Sequence, residues 1–238
     1  MSHKYLSALS ALTLLVLSAC GSSPQASDSQ ASSPAASDGS GFAYSCQQSL
    51  VLAGDDAVEQ VFSDAQWEIG PLGFPVPYSS TAGGCQVLDS GVRAGFAHTQ
   101  QGALLAAITV VAGYNPGATQ ELFDDFDAKI APGQGYEKLR AQAQENVQKQ
   151  PRLLGSDDVK VIGAKVLGFD SEYASFEILI KDSKSPVVYA VTVPLQWVDG
   201  DWKHQGSTTS YYYDSRLISG AIGSMVSFPV ISPEQVEQ

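Results

Sequence analysis

Positive charge is almost missing from the first part of this 238-residue chain. No Lys or Arg occurs between Lys4 and Arg93, while eight acids do: Asp28, Asp38, Asp55, Asp56, Glu59, Asp64, Glu68 and Asp89. The whole sequence has 13 basic and 25 acidic side chains, a formal net charge of −12. With no Lys/Arg cluster anywhere, phosphate-tracking contact with nucleic acid has no basis. Direct attraction to anionic lipid has none either. Histidine is scarce, at three residues. No serine stands in a Gly-x-Ser-x-Gly elbow. The acids of "DDFD", Asp124 to Asp127, point different ways on a helix and lack the loop glycine of a calcium site. "GQG" at 133–135 has no strand before it, which a phosphate loop requires. The expectation is therefore no catalytic residue, no metal and no cofactor.

A long apolar run is also missing. "KYLSALSALTLLVLSAC" opens with one cation, and its apolar part, Leu6 to Ala19, falls short of the ~20 residues of a spanning helix. It has the length of a secretory signal. Its end, Leu17-Ser18-Ala19-Cys20-Gly21, resembles the bacterial lipoprotein signal, in which a cysteine after small residues is lipidated and the peptide is cut just before it. The rivals are a plain signal peptide and an uncleaved anchor. The resemblance implies an extracytoplasmic protein whose acylated Cys20 holds it to the cell membrane by palmitate-type chains. Only two other cysteines remain, Cys46 and Cys85. In an oxidising compartment they can pair. Such a bridge would contribute roughly 3–4 kcal/mol in the chain-entropy picture.

Residues 21–41, "GSSPQASDSQASSPAASDGSG", have no apolar periodicity and cannot bury enough surface to order their backbone. They read as a tether with a typical end-to-end distance of about 25 Å. The expected organisation is a signal peptide (1–19), lipidated Cys20 with its tether (20–41), an irregular arm (42–92), a domain (93–230) and a tail (231–238). Within the arm "QWEI" and "CQVLD" suggest short strands, and "GPLGFPVPYSSTAGG" must extend or turn.

Regular structure begins at "HTQQGALLAAITVVAG". Thr99 is a good N-cap, and Leu104, Leu105, Ile108, Val111 and Ala112 recur at helical spacing up to Gly113. Thr119 caps a second helix with the stripe Leu122, Phe123, Phe126 and Ile130. A third runs from Tyr136 to Gln150 on Tyr136, Leu139, Ala143 and Val147. After Pro151 the period becomes two. "DVKVIGAKVLGF" slips near Gly163, which suggests a bulge. "EYASFEILI" and "VVYAVTVPLQW" each carry one apolar face. Asp199-Gly200 suits a type I′ turn that sets Trp197 opposite Trp202. Pro194 implies an edge or a bulge. Three helices followed by about four antiparallel strands predict an α+β fold, with the helices laid into a curved antiparallel sheet. That is a cystatin-like cone, the shape of nuclear-transport-factor-2-like domains and ketosteroid isomerase. It also resembles the extracytoplasmic domains of conjugation-channel assembly proteins.

Three stretches carry a closer likeness: "QWEIGPLGFPVPYSSTAGG", "SGVRAGFAHTQQGALLAAITV" and "LQWVDGDWKH". Trp67, Val76 to Ser79, Thr81 to Gly83, Gly95 to Leu104 and Trp197 to Trp202 together resemble a family of secreted or anchored actinobacterial proteins. That family is associated with integrative and conjugative elements. No activity comes with it. Gly84-Cys85 stands where the family pattern has a proline, which would make a disulfide particular to this chain.

Candidate sites are few. His98 is open to three roles: catalytic base, ligand contact or helix-end residue. Beside a helix N-terminus the dipole favours the neutral ring and weakens a base, so the balance leans to architecture. His204 reads as a solvated strand residue. In "SYYYD" successive rings alternate faces, so at least one of Tyr211, Tyr212 and Tyr213 would be exposed, at a partner surface or under the tail, and it is the candidate binding anchor. Two functions follow. One is a non-enzymatic assembly module that binds another membrane-complex protein, as in a conjugative secretion apparatus. The other is a small-molecule binder or enzyme that uses the cone interior, which would need converging titratable groups.

Overall fold

From residue 65 the chain makes two β-hairpins before its first helix. β1 (Gln66–Ile69) pairs antiparallel with β2 (Pro75–Tyr78), and β3 (Gly83–Val87) with β4 (Arg93–Phe96). The computed structural model describes residues 65–149, 159–182, 187–206, 214–218 and 226–227. All of these fall within one compact unit, Phe42–Gln238. The signal, Cys20, the tether, Cys46, Tyr211 to Tyr213 and the tail lie outside the described residues.

α1 (Gln100–Ile108) starts where Thr99 Oγ1 accepts the Gly102 N–H at 3.0 Å. At its end the β-branched run Thr109-Val110-Val111 falls in a wider π-helical turn, Thr109–Gly113. The second expected helix is interrupted at Asp125, giving α2 (Gln120–Asp124) and α3 (Phe126–Lys129). Thr119 caps α2 by accepting the Leu122 N–H at 3.3 Å. A short strand β5 (Ile130–Ala131) and α4 (Tyr136–Lys149) follow.

The main sheet comprises β5, β6 (Val159–Phe169), β7 (Tyr173–Asp182), β8 (Val188–Val198), β9 (Asp201–Gln205), β10 (Asp214–Ile218) and β11 (Val226–Ser227). Its order is β11-β6-β7-β8-β9-β5, with β10 also on β8. The register slips between Val161 and Gly163, as the sequence suggests, and again between Val166 and Gly168. Asp199 and Gly200 both take positive φ, and Trp197 pairs with Trp202. Pro194 needs no edge strand. β10 pairs β8 up to Thr192 and β9 takes over at Leu195, so the missing N–H falls in the gap between them.

The cystatin-like cone is overturned. Among the described residues strand outweighs helix, 45% against 28%, and no three-helix layer lies on a sheet. The sheet is mixed, because β5 runs parallel to β9. The physical reason lies in α1. A helix in a layer needs one apolar stripe, whereas Ala103 to Ile108 are all fully buried. Such a helix requires walls on every side. α1 touches β7, β8 and β9 of the sheet, and also β2, β3 and β4 of the hairpins. Phe176, Ile178, Val191, Val193, Leu195 and Trp202 join Ala82 and Phe96 around it. The approach is close. A Cβ on Gly102 would stand 2.1 Å from the Ala97 oxygen, and one on Gly83, at φ +102°, 2.5 Å from Phe96 Cα. A second core gathers Val92, Tyr114, Leu122, Phe126, Ile130, Leu139 and Ala143.

Candidate functional site

The motif stretches, though far apart in sequence, meet at the N-terminal end of α1. Ser79 Oγ accepts the Ala82 N–H at 3.1 Å, and Ala82 O accepts the Ala97 N–H at 3.0 Å. Trp202 Nε1–H donates to Ala97 O at 3.0 Å. The Asp201 carboxylate, just past the hairpin turn, accepts three backbone N–H groups: Phe96 and Trp202 at 2.9 Å and Gly95 at 3.1 Å. It thus ties β9 to β4.

His98 sits in this junction, half-buried. Its ring stacks flat on Trp197, with centroids 4.0 Å apart and planes 4° apart, and it meets Trp202 edge-on at 5.6 Å. Nε2–H donates to the carbonyl of Ser171, in the turn between β6 and β7. A carbonyl can only accept, so that nitrogen carries the proton. The backbone that His98 holds is this distant turn, whereas the sequence points to the join of arm and helix.

Behind the motif lies a chain of charges that the sequence does not announce. Lys129 is completely buried. Its Nζ donates to Arg93 O at 3.0 Å, stands 3.8 Å from Asp201 Oδ2 and lies 4.9 Å from the centre of the Phe96 ring. Burial holds the Lys129 ammonium below its ordinary pKa, and Asp201 opposes that shift. Arg93 is buried too. It makes a two-pronged pair with Glu68, donates Nη1–H to Gly84 O at 2.6 Å and stacks 3.7 Å over the Tyr78 ring. Lys203 donates to Asp127 O and to the Asp199 carboxylate, both at 3.0 Å. One signal for Lys129 is present in the sequence: it lies on the helical stripe of Leu122 and Phe126, where a solvated lysine would not sit. Arg93 has no such signal, because both faces of its short strand are buried.

His204 corrects its sequence reading. It is buried, with Nδ1–H donating to Pro194 O at 3.1 Å. Cys85, in the irregular part of β3, is disulfide-bonded, and its partner lies outside the described residues. Asp124 and Asp127 are exposed, and Asp125 accepts the Ser90 N–H. Among the described residues no group of three His, Cys, Asp or Glu is placed to hold a metal ion. Nor is any helix among them long and apolar enough to cross a membrane. Chemically, this junction fixes backbone: each of its ionisable groups faces a main-chain partner or an opposite charge.

No curated protein and no solved structure matches the chain. Residues 24–223 match the family described as Domain of unknown function (DUF8175), and the chain belongs to that family.

Proposed function

We propose that this chain is an extracytoplasmic lipoprotein, anchored to the cell membrane through acylated Cys20. Its domain is a non-enzymatic module that binds another protein of a conjugative, type IV-like secretion apparatus. One observation carries the non-enzymatic part. Arg93, Lys129, Glu177, Asp201, Lys203 and His204, all buried, are each committed to a carboxylate, a cation or the backbone. The interior that a small-molecule enzyme would use is filled by α1. The Leu17-to-Cys20 pattern supports the anchor. The disulfide at Cys85 favours an oxidising compartment, with Cys46 as the expected partner. The likeness of the three motif stretches to actinobacterial proteins of conjugative elements supports the apparatus.

The test is metabolic labelling with a palmitate analogue. Label should enter the wild-type chain and not Cys20→Ala, and the variant should leave the membrane fraction or stay unprocessed. Equal labelling of both would overturn the anchor. Peptide mapping without reductant should recover a linked Cys46–Cys85 pair from exported protein. Crosslinking in intact cells should capture a membrane-complex partner, less so with alanine at Tyr211, Tyr212 or Tyr213.

A further inference from the structure

We draw no further inference here: the strongest candidate, the edge of β10 turned away from β8, where Leu217 keeps 62% of its surface exposed at the end of the apolar row Val161–Ile180–Tyr189–Leu217, is an unpartnered sheet edge among the described residues, and nothing in the structure shows what covers it.

Discussion

Helices α1 and α4 are opposite solutions to helix burial. α1 has nine residues, none charged, and every one except Gln101 is buried. α4 has fourteen, mixes charged and amide side chains throughout, and fully buries only Leu139 and Ala143. The long helix needs one wall and the short one needs several. A 3.6-residue stripe can be found in either sequence, since a helix that is apolar all round contains every stripe. The fold turns on this difference. The two hairpins before α1 and the sheet after it exist to enclose a helix that cannot face water.

The sharpest way to break the enclosure is to release the carboxylate that joins its walls. Asp201→Ala leaves three backbone N–H groups without their acceptor and the buried Lys129 ammonium without its counter-charge. Loss of one partner of a buried pair costs about 3–5 kcal/mol, so urea unfolding should show the largest change here. A change below that of an ordinary surface mutation would mean that the walls hold without the clamp. Lys129 itself predicts a pH effect. Burial lowers its folded pKa below the 10.5 of an open lysine, so the unfolded chain binds the proton more tightly. Its contribution to stability is therefore fully present above 10.5 and is lost as pH falls through the folded value. Stability should climb with pH towards 10.5 in the wild type and less so in Lys129→Met. Parallel profiles would contradict the burial account.

The two helices can next be compared directly. Leu105→Ala opens a cavity between walls that cannot collapse, and falls in the upper part of the ~2–5 kcal/mol range for such truncations. Leu139→Ala, on a helix free to settle on its single wall, should fall in the lower part. Equal losses in thermal unfolding would show that enclosure adds nothing beyond burial.

Much of the local structure is legible in the sequence because its causes are local. The Thr99 and Thr119 caps, the apolar faces of β7 and β8, the slip near Gly163 and the Asp199-Gly200 turn each depend on neighbours within a few residues. The architecture and the junction are not legible in that way. Whether Ala103 to Ile108 have one wall or several depends on Ala82 and Phe96 before them and Trp202 long after. Asp201 acquires its role from Gly95 and Phe96, and Lys129 from Asp201; no spacing rule links such positions. His204 reads as solvated from the sequence because alternation is a poor guide in a strand that packs on both faces.

His98 lies between local and distant causes, and its loss should matter less. His98→Ala removes one hydrogen bond to Ser171 and a flat stack on Trp197. A typical hydrogen bond contributes about 1 kcal/mol. Near-ultraviolet circular dichroism, which senses the Trp197–Trp202 pair, should change along with that modest loss of stability. If a measurable turnover vanished with His98 while stability stayed intact, the assembly reading would give way to an enzyme.

The smallest effect belongs to the exposed face of α4. Lys149 pairs with Glu145 one turn away, both side chains largely in water. That pair has the same chemistry as Lys129 and Asp201, and the lysine holds the Glu145 carboxyl below its ordinary pKa by hydrogen bond and charge. Solvent sets the difference. Water already solvates both ends, salt screens their attraction, and two long side chains lose freedom in meeting. Lys149→Ala should leave the melting temperature unchanged within error at physiological salt, and the wild type should lose nothing when salt is raised further. A clear drop in the variant would mean that α4 is held by its charges as well as by Leu139 and Ala143, and the contrast with α1 would have to be redrawn as one of charge instead of enclosure.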